Sequence, residues 1–283
     1  MLKQPSLKEF LQMFILFEDA SVEELANAIG VSPRTIFNIF EDKNVTDDIK
    51  QKCYSFLYRY NGSINKATIE FNQDIFEGKL LYHGSKDGVL SPTKDVSRDK
   101  CDFGNGFYLS DNYDQAVDFV CAYPNSAIYG FEFLKEKDLN IVTLDCDLDW
   151  MISICYYRGK LKEYENSKEL KRALKITQDA DVIICPIADN RMIQIITNFA
   201  DGKITSEQAK YSLRALNLGN QYVFKTDKAL KCLRHINSFY LCEVEKAEHI
   251  SKVKERVNAT RKHVEDTIKK YRRDGKYIDE VFK

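Results

Sequence analysis

The sequence predicts an α+β protein, and three observations carry that prediction. Apolar residues recur at helical spacing through the first 60 positions, strand-length apolar runs alternate with helix-length segments between about 79 and 246, and a charged helical stretch closes the chain. The expected organisation is a helix-turn-helix-like module at 1–60, a connecting helix or linker at 61–78, an α+β core at 79–246 and a basic C-terminal helix at 247–283.

In the first module, Phe10, Leu11, Phe14, Ile15 and Phe17 stand three or four positions apart or adjacent, and Val22, Leu25, Ala26 and Ile29 repeat the pattern. Gly30 occupies a C-cap position, Ser32 an N-cap, and Pro33 the first helical position. Residues 21–40 therefore predict two short helices around a tight turn, a shape that resembles the helix-turn-helix of bacterial repressors. Residues 1–60 hold seven basic and nine acidic side chains, a net of −2, which offers few cations for phosphate contacts. A structural or protein-docking role is favoured, with DNA as the alternative partner through Arg34, Thr35 and Asn38.

Residues 63–71 predict the connecting helix. Alternation then predicts strands at 79–82, 106–110, 127–133, 140–144, 182–187, 221–224 and 238–244. Helices are predicted at 114–122, 147–157, 167–177, 191–199, 206–216 and 227–233. From Lys246 onward twelve basic residues face seven acidic ones, a helix with a solvated charged face that ends near Gly275.

Bulk composition narrows the function classes. Over the 283 residues, 42 Lys and Arg balance 43 Asp and Glu, so no global field draws the chain to nucleic acid or an anionic membrane. The eight cysteines show no C-x-x-C spacing, and several lie inside apolar runs, as Cys185 does, so buried free thiols in a reducing compartment are expected rather than a disulfide or metal framework. The first ten residues carry Lys3, Lys8 and Glu9 and no apolar core, and no segment approaches the about 20 apolar residues of a spanning helix. A soluble, cytoplasmic protein without membrane association is expected.

Three segments place polar or aromatic groups at the rims of predicted strands: His83-Gly84-Ser85, Asp102-Phe103-Gly104-Asn105-Gly106-Phe107-Tyr108, and Asn220-Gln221-Tyr222-Val223-Phe224. Singly, each has an ordinary explanation. A strand-end histidine is commonly structural, a tyrosine between apolar neighbours is usually core, and a Gly-x-Gly pair marks a turn. Their order along the chain is what distinguishes them.

His83-Gly84-Ser85 resembles the strand-end His-Gly-Ser of poly(ADP-ribose) polymerases and diphtheria-toxin-type ADP-ribosyltransferases. The run from Phe103 to Tyr108 resembles their Phe-Gly-Lys-Gly-Ile-Tyr, and the run from Asn220 to Phe224 resembles their Asn-Glu-Tyr-Ile-Val. The Asp-Phe-Gly-x-Gly-Phe-Tyr run is also similar to that of small bacterial, often toxin-like, transferases. The likeness covers 79–246. It implies an ADP-ribosyltransferase-like split β-sheet core, NAD⁺ as co-substrate, no metal, and transfer of single ADP-ribose units with release of nicotinamide. The acceptor would be a protein or a nucleic acid, and a toxin, defence or regulatory role with an antitoxin or other neutralising partner is implied by analogy.

By the same resemblance His83, Tyr108 and Gln221 are the catalytic residues. Nucleotide contacts fall to His83, Gly84, Ser85 and Tyr108, with Gly104, Gly106 and Phe107 in the turn, and Arg98, just before the glycines, is a candidate for the pyrophosphate on its own chemistry. The chemistry of these side chains fits those roles. Tyr108 offers a flat face to a nicotinamide ring, Gly84 lets a ligand approach the backbone, and neutral His83 hydrogen-bonds a ribose. A guanidinium such as Arg98 matches phosphate oxygens. Gln221 stands where the resemblance has a Glu, so it can accept a ribose 2-hydroxyl but brings no negative charge. In the families it resembles, that replacement goes with transfer of single ADP-ribose units or loss of activity, so the resemblance implies no polymer synthesis. Glu207 and Asp189 are candidate compensating carboxylates, and Phe119 or Tyr113 a second aromatic. An NAD⁺ glycohydrolase and a nucleotide-sensing, DNA-binding regulator without catalysis remain the rival readings.

Overall fold

Serine and threonine caps delimit the helices of the amino-terminal module. In the computed structural model, which describes residues 6–94, 101–214, 216 and 219–283, Ser6 and Glu9 form a capping box at the start of α1 (Leu7–Glu18). Ser21 and Glu24 repeat the device for α2 (Val22–Ile29), which Gly30 ends at φ 79°. Ser32 caps α3 (Pro33–Phe40) with Pro33 at its first position, and Thr46 caps α4 (Asp47–Asn61). Leu11, Leu25, Ile36, Cys53 and Leu57 bury their side chains between these four helices. The two predicted helices around Gly30 are present. α5 (Ile64–Phe71) follows and leads the chain to the sheet.

Seven strands form one mixed open sheet: β1 (Lys79–Ser85), β2 (Phe107–Ser110), β3 (Ala127–Phe133), β4 (Ile141–Thr143), β5 (Val182–Pro186), β6 (Asn220–Phe224) and β7 (Leu233–Phe239). Their order across the sheet is β4-β5-β6-β2-β1-β3-β7, with β4 and β5 parallel and every other pair antiparallel. The sheet has a weak seam. β1 pairs with β3 from Lys79 to Ser85 but with β2 only at Tyr82↔Ser110. β2 is held instead by β6, through four register pairs from Phe107↔Phe224 to Ser110↔Gln221.

Helices α7 (Leu148–Tyr157), α8 (Lys168–Gln178), α9 (Asn190–Ala200) and α10 (Ser206–Arg214) bury the β5–β6–β2 side of one face around Trp150, Met151, Ile183 and Val223. On the same face α6 (Tyr113–Val120) covers β1 and β3 with Tyr82, Val117, Ile128 and Phe239. The opposite face gathers Leu81, Phe107, Leu109, Phe131, Phe133 and Phe224. The long helix α12 (Glu243–Lys270) ties the two halves together. Its Arg256 pairs with Asp118 of α6, while the Arg256 carbonyl accepts from Arg191 of α9 at 3.1 Å.

Three sequence expectations are corrected near the carboxyl end. The strand expected at 238–244 is β7, earlier at Leu233–Phe239, and the helix expected at 227–233 is the short α11 (Asp227–Leu230). The run around Val244 is amphipathic enough to read either way, but Glu243 and Glu245 fill the first turn of α12, where negative charge is favoured. The final segment is not one helix: α12 stops at Lys270, and α13 (Ile278–Val281) follows a turn. Gly275, at φ 83°, lies in that turn because a Cβ there would come within 2.7 Å of the Glu207 backbone nitrogen. Cys53, Cys121, Cys155, Cys185, Cys232 and Cys242 are buried thiols. Among the described residues, no helix is long and apolar enough to cross a membrane.

Candidate active site

The three sequence-predicted catalytic positions lie on adjacent strands: His83 on β1, Tyr108 on β2 and Gln221 on β6. Paired residues share a face, so the pairs Tyr108↔Val223 and Ser110↔Gln221 put Tyr108 and Gln221 on the helix-covered face. His83 alternates to the other face, where its ring lies 4.5 Å from that of Phe107. It reaches its neighbours through the seam. Beyond Tyr82↔Ser110 the β1–β2 ladder ends, and His83 Nδ1 bonds the Tyr108 carbonyl at 2.9 Å.

That bond fixes the imidazole. A carbonyl can only accept, so Nδ1 carries the proton, and Nε2 is left as an acceptor in the neutral ring. Burial lowers the His83 pKa below 6.5, with the Tyr108 bond opposing in part, which keeps the ring neutral at pH 7. A neutral ring with one free lone pair suits a sugar hydroxyl.

Tyr108 serves its own turn. Its hydroxyl donates to the Gly104 carbonyl at 2.7 Å and accepts from the Phe103 N–H at 3.1 Å, and burial pushes its pKa strongly upward. Gly104 adopts φ 68°, where an L side chain is strained. A Cβ at Gly106 would come 2.8 Å from Val223 Cγ1, so this glycine lets the turn lie against β6. The Lys225 ammonium donates to the Phe103 carbonyl and sits 5.5 Å from the Tyr157 ring centroid, which closes the turn from outside.

Gly84 faces α6. A Cβ there would meet the Ala116 carbonyl oxygen at 2.7 Å and Val120 Cγ1 at 2.9 Å, so close helix–strand packing accounts for this glycine. The buried Ser85 hydroxyl is shared between the Asp87 carboxylate and the Val89 carbonyl, both at 2.8 Å, and is thus engaged in the loop after β1. Phe107 is 3% exposed and lies beneath His83, on the face opposite Tyr108. Arg98 lies outside the described residues.

Of the two candidate second aromatics, Tyr113 is core, bonded to Asn65 and Glu245. Phe119 is 63% exposed, and the Lys86 ammonium stands 4.9 Å from its ring centroid, one residue beyond Ser85. The two candidate carboxylates do not meet Gln221. Asp189 caps α9 and pairs with Arg191, and Glu207 pairs with Lys210. The partner is Asp102: Gln221 Nε2 donates to Asp102 Oδ2 at 3.1 Å, and Arg158 holds Asp102 Oδ1 from the end of α7. Sequence reasoning missed this contact, although Asp102 opens the quoted Asp-Phe-Gly run.

Two hollows lie elsewhere. One of about 280 Å³ is lined by Asp114, Asp118, His249 and Arg256 between α6 and α12. The other, about 310 Å³, is an apolar groove of Phe10, Phe14, Phe17, Tyr60 and Phe71 beside α1. Neither includes Tyr108 or Gln221.

Residues 80–235, more than half of the chain, match the model of a family described as Protein of unknown function (DUF3990). The match takes in β1 through β6, and with them His83, Asp102, Tyr108, Arg158 and Gln221. No curated protein and no solved structure matches the chain.

Proposed function

The chain belongs to the DUF3990 family, and we propose that it is an NAD⁺-dependent mono-ADP-ribosyltransferase. One observation carries this reading: a histidine, a tyrosine and a glutamine from distant parts of the sequence occupy three neighbouring strands at the point where the β1–β2 ladder opens. The ordered resemblance to ADP-ribosyltransferases gives that juxtaposition a chemistry.

In the proposed reaction the bond between nicotinamide nitrogen and the ribose anomeric carbon breaks, and its electron pair leaves with nicotinamide. The anomeric carbon gains positive charge, and a nucleophilic atom of the acceptor bonds to it while its proton passes to solvent. The ring of Tyr108 stacks on nicotinamide, His83 Nε2 accepts from a ribose hydroxyl, and Gln221 Oε1 accepts from the 2-hydroxyl and orients the sugar. A neutral Gln221 supports single transfers.

The test is to incubate the purified protein with NAD⁺ labelled in the adenylate, with and without cell extract. Free nicotinamide together with label bound to a macromolecule supports transfer. Free ADP-ribose alone would assign water as the acceptor, and no turnover in either arm would contradict the proposal.

A further inference from the structure

The carboxamide of Gln221 has a defined orientation. Its Nε2 lies 3.1 Å from Asp102 Oδ2 and 3.3 Å from the Pro186 carbonyl oxygen. Both partners are acceptors, so the amide end that faces them is the NH₂, and Oε1 is the end left to accept from a ligand. Asp102 is itself fixed. Arg158 Nε and Nη2 both donate to Oδ1, at 2.9 and 2.7 Å, which leaves Oδ2 to Gln221. The Asp102 side chain is 9% exposed, and Gln221 is equally buried, so water competes little for either group. A carboxylate that accepts from an amide N–H in such surroundings polarises the amide and makes its carbonyl oxygen a stronger acceptor.

We infer that Asp102 is the positioning residue of this site: paired with Arg158, it orients Gln221 and polarises its amide. This rests on the transferase reading above. It carries a specific consequence. A glutamate at 221 would set two carboxylates about 3 Å apart and a third acceptor, the Pro186 carbonyl, beside them, and like charges at that distance cannot both ionise readily. Adding a negative charge at 221 therefore harms the site, unless the charge at 102 is removed at the same time.

The experiment uses four full-length proteins: wild type, Gln221→Glu, Asp102→Asn and the exchange Asp102→Asn/Gln221→Glu. Each is followed for nicotinamide release from NAD⁺ across the neutral pH range and for its melting temperature. Both single variants should lose about tenfold or more in kcat with KM for NAD⁺ held within about threefold. Gln221→Glu should also lose activity as pH rises, because the carboxylate pair, faced by the Arg158 guanidinium and the buried Cys185 thiol of β5, works only while it shares a proton. The exchange should recover about tenfold over Gln221→Glu, since an asparagine at 102 can accept from Arg158 and donate to a glutamate at 221. It should also melt above the Gln221→Glu protein. Gln221→Glu keeps the Arg158–Asp102 pair intact, so it remains informative even where Asp102→Asn folds poorly.

A Gln221→Glu protein as active as wild type with an unchanged pH profile would overturn the inference. So would an unaffected Asp102→Asn protein or purely additive melting shifts. No release by the wild type would sink the transferase reading and any catalytic role of Asp102 with it. The melting temperatures would then still show whether the two side chains are coupled.

Discussion

Tyr108 and Gly104 form a closed local unit: the phenol of Tyr108 donates to the Gly104 carbonyl at 2.7 Å, four residues back in the same turn. The residue expected to face a ligand is thus also the clasp of the turn that presents it. Its second bond, from the Phe103 N–H, ties the same hydroxyl to the backbone beside Asp102.

Tyr108→Phe keeps the ring and removes both bonds. It should cost about 1–3 kcal/mol of stability, because two hydrogen bonds of a largely buried turn are lost. Chemical denaturation of the variant checks this, and nicotinamide release should fall along with it as Asp102 loses its fixed position. Full stability in Tyr108→Phe would show that the clasp contributes nothing.

Gly84→Ala should destabilise the protein by about 1–3 kcal/mol, through overpacking against α6. The neighbour at 2.7 Å is the Ala116 backbone oxygen, which cannot rotate away as a side chain would. A Gly84→Ser protein should behave no better. Wild-type denaturation midpoints in both would refute the packing account.

His83 predicts a pH dependence of stability. Its folded pKa lies below 6.5, so the unfolded chain binds the proton more readily than the folded one. The contribution is fully present above the unfolded pKa and is lost as pH falls below it, at no more than about 1.4 kcal/mol per pH unit for one proton. His83→Gln should flatten the acid side of the stability profile relative to wild type. Parallel profiles would mean that the imidazole is not held neutral by burial.

Phe119 separates binding from folding. At 63% exposure, with Lys86 over its ring, Phe119→Ala should change stability by less than about 0.5 kcal/mol. If its ring serves as the second aromatic on nicotinamide, KM for NAD⁺ should rise several-fold while kcat changes less. An unchanged KM would remove Phe119 from the site.

Much of this architecture was legible in the sequence because local signals and burial agree. Gly30, Ser32 and Pro33 punctuate α2 and α3 at the cap positions that the sequence predicts, and the apolar run at 127–133 is β3 to the residue. β7 was misplaced because its burial alternates irregularly and the register shifts at Gly130/Phe131, so no clean period of two marks it. The candidate site residues stand out in the sequence by their order, but sequence does not give their faces. His83 lies opposite Tyr108 and Gln221 because the register pair Tyr82↔Ser110 sets the phase of β1, a long-range fact that no local pattern encodes. The Asp102–Gln221 bond spans 119 residues and was invisible for the same reason, while nearer-seeming carboxylates at 189 and 207 turned to their own helices.

We propose that the seam beside Tyr82↔Ser110 binds NAD⁺ and cleaves its nicotinamide–ribose bond. Nicotinamide release from NAD⁺ by wild type, His83→Gln and Gln221→Ala, each confirmed as folded by its circular dichroism, tests it most directly. Release by the wild type and a loss of about tenfold or more in both variants are expected. Equal release by all three proteins, or none by wild type in the presence of cell extract, would contradict it.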